Sequence, residues 1–122
     1  MAADKPPDAD DFLPLKPNRL HVLLSLADQE QHGYGIMQEV LERTGGKVRL
    51  WPATLYGTLK RSIEEGLIVE SSERPAAELD DARRRYYQLT LLGRQVLAAE
   101  SERLEDLVRI LHARRGVNEQ KV

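Results

Sequence analysis

The sequence contains no cysteine, which excludes disulfide scaffolds, iron–sulfur clusters, thiolate zinc sites and cysteine nucleophiles together. Its three histidines, His21, His32 and His112, fall in three different predicted elements, so no metal site is expected. No apolar run approaches the roughly 18–20 residues that span a bilayer. The opening Met1-Ala2-Ala3-Asp4-Lys5 lacks the basic-then-hydrophobic order of a signal sequence. A soluble cytoplasmic domain with no membrane partner is expected. Catalysis has little to work with, because Ser25, Ser62, Ser71, Ser72 and Ser101 carry no nucleophile motif. Gly33-Tyr34-Gly35 and Gly45-Gly46 lack the spacing and the lysine of a phosphate-cradling loop, so neither an enzyme nor a cofactor is expected. Strong charge of one sign is also absent: the net charge is −2, which gives no global reason for affinity to nucleic acid or an anionic membrane.

What is present suffices for one domain. The 122 residues are 41% hydrophobic and 31% charged, an ordinary globular balance. Residues 1–16, rich in proline and aspartate, are read as a flexible arm that docks locally through Phe12 and Leu13. Leu20, Leu23, Leu24 and Ala27 recur at helical spacing and predict a helix over 17–28, with Pro17 in its first turn. After a polar turn, Tyr34, Met37, Val40 and Leu41 share a face of a second helix that Gly45-Gly46 ends. Pro52 opens a third helix with Leu55, Leu59 and Ile63 inward, and Gly66 stops it.

Leu67-Ile68-Val69 starts a strand whose partner is Arg83 to Thr90, a hairpin with a long polar tip. A helix then runs from Leu91 to about Arg115, with Leu97, Leu104 and Leu111 at heptad spacing and Leu107 and Val108 nearby. Three short helices, a hairpin and a long helix predict a mainly α (α+β) winged helix-turn-helix over 17–90. A C-terminal dimerisation helix occupies 91–115, and 116–122 form a tail.

The charge is segregated along the chain. Residues 47–61 carry Lys47, Arg49, Lys60 and Arg61 without an acid, and residues 83–94 carry Arg83, Arg84, Arg85 and Arg94 without an acid. Acidic excess lies elsewhere, chiefly over 62–82, including Glu78, Asp80 and Asp81 at the hairpin tip. The two basic blocks fall on the third helix and the returning strand, the surfaces that a winged helix presents to duplex DNA. With the leucines inward, Ala53, Thr54, Gly57, Lys60 and Arg61 point outward. Thr54 suits a phosphate or a thymine methyl, Gly57 permits close approach, and Lys60, Arg61, Arg83, Arg84 and Arg85 suit phosphates. Tyr56 sits at the boundary between packing and contact, and a solvated arginine patch is the plainer account of the basic run. Strand alternation puts Tyr87 and Leu89 on one face, Tyr86 and Gln88 on the other.

His32-Gly33-Tyr34, Thr54-Leu55-Tyr56, Leu59-Lys60-Arg61, Glu64-Glu65-Gly66-Leu67-Ile68 and Arg84-Arg85-Tyr86-Tyr87-Gln88-Leu89-Thr90 follow one another in an order and spacing that resemble the PadR family of bacterial transcriptional regulators. The resemblance covers roughly residues 18–111. It implies a winged-helix DNA-binding domain, a dimerising C-terminal helix, and repression of an operator relieved by a small-molecule effector. It also implies that His32 supports the turn into the second helix. The length resembles the compact subtype with a single C-terminal helix.

The chain departs from the family pattern at Gly35, where a mid-helix glycine costs about 1 kcal/mol. It departs again at Trp51, which replaces the small polar cap of the third helix; an effector pocket walled by Trp51 or by the last helix is expected. The N-terminal arm lies outside the pattern.

The long helix measures roughly 36 Å at about 1.5 Å per residue, more than the small domain needs. A homodimer through Leu97, Leu104, Leu107, Val108 and Leu111 fits a pseudo-palindromic operator, with Glu100 at a seam position and Arg103 and Arg109 around it. The competing class is a winged-helix module that binds a protein and not DNA.

Overall fold

The computed structural model describes residues 7–71, 85–114 and 116. Helix α1 spans Pro17–Ser25, β1 Gln31–His32, α2 Gly33–Arg43, α3 Pro52–Glu64, β2 Ile68–Ser71, β3 Tyr86–Leu89 and α4 Leu91–Ala113. The strands form one antiparallel sheet in the order β1-β3-β2, with His32 opposite Tyr86 and Ile68 opposite Leu89. This is the expected winged helix-turn-helix with a long last helix. The hairpin, however, has a third strand: Gln31, the last residue of the stretch read from sequence as a polar turn, and His32 pair with β3. Two residues are too few to show an alternating pattern.

Local chemistry sets the helix ends. Prolines at the starts of α1 and α3 forgo an N–H that would have no partner there. The His32 Nδ1 accepts from the Gly35 N–H at 3.0 Å and caps α2, and the Thr90 hydroxyl accepts from the Gly93 N–H at 3.0 Å and caps α4. A side chain at Gly35 would meet the Gln31 amide and the His32 ring, so this glycine makes room for the cap. At Gly93 a Cβ would collide with the Leu67 carbonyl oxygen. That close crossing seats α4 on the start of the hairpin, where the Thr90 hydroxyl also donates to the Gly66 carbonyl at 2.6 Å.

Val22, Leu23, Leu26, Ile36, Val40, Leu55, Leu59, Leu67, Ile68 and Val96 are fully buried and form the core with Tyr87 and Leu89. Two apolar faces read from periodicity are divided differently. Helix α1 ends three residues early, turns Val22 and Leu23 inward, and leaves Leu24 exposed beside Leu20 and Ala27. In α2, Ile36 and Val40 point into the core, whereas Tyr34 is 58% exposed.

The segment read as a flexible arm is folded from Asp8 onward. Asp8 and Asp11 make a capping box around a single 3-10 turn, Ala9–Phe12. Phe12 and Leu13 pack against the core as expected, and Leu15 is buried within it. Glu100 overturns a second expectation. It is only 1% exposed, so it is no dimer-seam residue. Its carboxylate accepts from the Leu15 N–H at 3.0 Å and from Arg103 at 2.5 and 3.0 Å. The hydrogen bonds from Arg103 hold its carboxyl below the usual carboxylate range against the opposing effect of burial.

Candidate nucleic-acid interface

The outer face of α3 is built as the leucine spacing requires. Leu55, Leu59 and Ser62 are buried, and Ala53, Thr54, Tyr56, Gly57, Lys60 and Arg61 are exposed. Among the described residues neither Lys60 nor Arg61 has an acidic partner. Nothing lies within 4 Å of a Cβ placed on Gly57, so this turn of the helix is open to a close-fitting surface. Tyr56 is both of the things the sequence left open: its ring lies over Gly33, where a side chain would strike its hydroxyl, and 47% of the residue is exposed.

Two clefts flank this face. On one side, Tyr56, Lys60 and Ile63 face Glu70, Arg85 and Tyr87 of the sheet across a cleft of about 380 Å³. Arg85 is paired with Glu70 at 3.2 Å, both of them solvent-exposed. Arg83 and Arg84, and the acidic tip with Glu78, Asp80 and Asp81, lie outside the described residues. On the other side, Thr54, Gly57 and Arg61 face Lys16, Asn18 and Arg19 across a cleft of about 440 Å³. There Arg19 is held by Glu65 at 2.6 Å. Sequence reasoning missed this second flank, because it comes from docking of the N-terminal segment, which carries no periodic signal.

Trp51 ends as an extended cap residue with no side-chain cap bond, as its chemistry implies. The residue is 62% exposed, and the Arg49 guanidinium lies over its indole at 5.2 Å from the ring centroid. Trp51 lines none of the described clefts, and the apolar space lies elsewhere. That space is a groove of about 1000 Å³ between α1 and α4, lined by Leu20, Leu24, Ala27, Leu97, Leu104 and Val108 among others. His21 also borders the groove; burial and the nearby Arg43 lower its pKa and favour the neutral ring.

The residues expected at a dimer interface therefore divide. Leu97, Leu104 and Val108 face the groove, whereas Leu107 and Leu111 are 43% and 49% exposed outside it. Ile110, which the heptad reading passed over, is 48% exposed beside them. No described helix is long and apolar enough to cross a membrane, and no three potential metal ligands cluster among the described residues.

The transcriptional regulator PadR-like family profile matches residues 22–99. The chain is also 43% identical over 91 residues to transcriptional regulator Rv3488 of Mycobacterium tuberculosis, covering 75% of this chain and 78% of that protein. The chain belongs to the PadR-like family of transcriptional regulators. Members of this family are regulators and not enzymes. The PadR-like fold recurs in solved structures. A PadR family transcription regulator from Clostridium difficile superposes with a TM-score of 0.67 at 24% identity, over 80% of this chain and 96% of that one. Bacillus subtilis PadR, solved in complex with operator DNA, gives a TM-score of 0.59 at 24% identity, over 69% of this chain and 46% of that one.

Proposed function

We propose that this PadR-like protein is a cytoplasmic, homodimeric repressor that binds a pseudo-palindromic duplex operator through α3 and the stem of its wing. The observation that carries the reading is the exposed outer face of α3, whose cations Lys60 and Arg61 have no ion-pair partner among the described residues. Thr54, Gly57, Lys60 and Arg61 lie on it together, with Lys16 beyond one flank and Arg85 beyond the other. Phosphates supply most of the affinity of such a face, and side chains at the outer turns of the helix supply the sequence preference. Arg83 and Arg84, which precede Arg85 in the sequence, add two further cations to that stretch of the chain. That Bacillus subtilis PadR was solved on operator DNA supports this use of the fold, and the family membership weighs against a protein-binding module without DNA.

The dimer is supported by α4. At 23 residues it is roughly 34 Å long at about 1.5 Å per residue, and its last turns expose Leu107, Val108, Ile110 and Leu111. A second copy covers them most simply, and a two-fold pair presents two α3 helices to two half-sites. The α1/α4 groove, adjoining that seam, is the proposed seat of an apolar or aromatic effector that lowers operator affinity. Unchanged operator affinity across a broad panel of aromatic ligands would remove the effector from this proposal.

The test of DNA binding is a titration of fluorescently labelled duplex at several salt concentrations. The expected result is a linear fall of log affinity with log salt, in proportion to the number of phosphates neutralised. Absence of binding at about 50–100 mM salt would exclude the reading.

A further inference from the structure

Trp51 is the only tryptophan in the sequence, and the fold leaves it outside the core. Its backbone is pinned: φ −79° and ψ 154° place it as the cap of α3, its carbonyl accepts from the Leu55 N–H at 2.8 Å, and Pro52 follows. Trp51 is 62% exposed, and its indole adds no hydrogen bond to the cap and does not line the apolar groove. What it does hold is Arg49, whose guanidinium lies 5.2 Å from the ring centroid. Among the described residues Arg49 has no acidic partner, although many other cations of the domain do, such as Arg19, Arg43, Arg85, Arg103 and Arg109.

A guanidinium stacked on an aromatic face keeps its N–H edges free, and stacking removes much of the freedom that a lone arginine would lose on binding. The free edges form a planar fork that fits a phosphate with two parallel hydrogen bonds. The pair stands at the entry to α3, next to Ala53 and Thr54 on the outward face. Among the cations of residues 47–61, Arg49 is the one the structure places over an aromatic ring.

We infer that Arg49, held by Trp51, is a phosphate-binding arm of the DNA interface, gripping the backbone beside the bases that α3 faces. The inference rests on the DNA-binding reading above and adds to it a contact made from outside α3. An indole at this cap position then has a reason: it exchanges a helix-capping side chain for a platform that aims a cation. Trp51 acts here as a positioning residue, and Arg49 makes the contact.

The single tryptophan is also the reporter. Using the full-length protein and a labelled duplex of random sequence, anisotropy reads binding while tryptophan emission and its quenching by acrylamide read the cap. The expected result is protection of Trp51 from acrylamide with the same midpoint as the anisotropy curve. Arg49→Ala should lower the log–log salt slope by about 0.9. Trp51→Ala should weaken binding severalfold, and Trp51→Phe, which keeps an aromatic face, should recover most of that loss. Thermal unfolding of each variant should match the parent, since both side chains lie on the surface. Duplex binding with Trp51 still fully quenchable and an unchanged slope in Arg49→Ala would overturn the inference and leave DNA binding standing. No anisotropy change even at about 50 mM salt would overturn both.

Discussion

The Glu100 carboxylate on α4 accepts a hydrogen bond from the Leu15 N–H at 3.0 Å, joining residues 85 positions apart in the chain. Arg103 closes the arrangement from the next turn of the helix, 34% exposed while Glu100 is 1% exposed. The N-terminal segment is thereby fastened to the proximal half of α4, whose distal half carries the exposed leucines, and it is also set beside α3.

Replacing Glu100 with Gln keeps the shape and removes the charge. The loss of charge-assisted bonds should cost roughly 1–3 kcal/mol, read as a lower midpoint in urea unfolding. Equal midpoints for the two proteins would show that the latch contributes nothing.

The same carboxylate sets a pH dependence. Its pKa in the folded protein lies below the ordinary value of 4.5, so the unfolded chain binds more protons between the two. Its stabilising effect is full above about pH 4.5 and is lost as the pH falls through the lower folded value. In acid titrations of stability, Glu100→Gln should therefore flatten this part of the curve. A mutant curve parallel to the parent's would refute the assignment.

Gly93 has no room for a side chain, because a Cβ would collide with the Leu67 carbonyl oxygen. Gly93→Ala should destabilise the fold by about 1–3 kcal/mol through overpacking, despite alanine's better helix propensity. A calorimetric Tm at or above that of the parent would contradict the packing described.

Ser62 is fully buried, and its hydroxyl has no hydrogen-bond partner among the described residues. Ser62→Ala removes an unsatisfied polar group and adds helix propensity, so a gain of about 1 kcal/mol is expected. Chemical denaturation decides it, and a loss of stability would mean that the hydroxyl is satisfied.

On α3, Lys60→Ala and Arg61→Ala should each weaken binding to every duplex and lower the salt slope by about 0.9. Arg85→Ala should do less, because Glu70 already holds that guanidinium at 3.2 Å. Thr54→Ala should instead alter which sequences are preferred, which selection from a random duplex pool would reveal. Equal loss of specific and non-specific binding would remove Thr54 from base reading. For the dimer, Leu107→Glu with Leu111→Glu should yield folded monomers in light scattering, and persistence of dimers would place the seam elsewhere.

The amphipathic spacing of Leu55, Leu59 and Ile63, the prolines at helix starts and the glycines at helix ends are local signals, and they were enough to order the helices and hairpin correctly. They also separated the inward Leu55, Leu59 and Ile63 of α3 from Thr54, Gly57, Lys60 and Arg61, because a helix of known period has only one way to turn that apolar stripe toward the core. Periodicity failed where the partner was remote. It grouped Leu24 with Leu23, although tertiary packing buries one and leaves the other on the groove.

By itself, then, the sequence determined the winged-helix order, the family and the cationic face of α3, since these follow from the period of a helix and the residues strung along it. Only the tertiary structure decided that Glu100 is a latch and not a seam, that β1 completes the sheet and that Arg49 rests on Trp51. Each of these is a meeting of groups whose separation or orientation no local pattern encodes. The burial or exposure of a charge depends on what the rest of the chain packs against it.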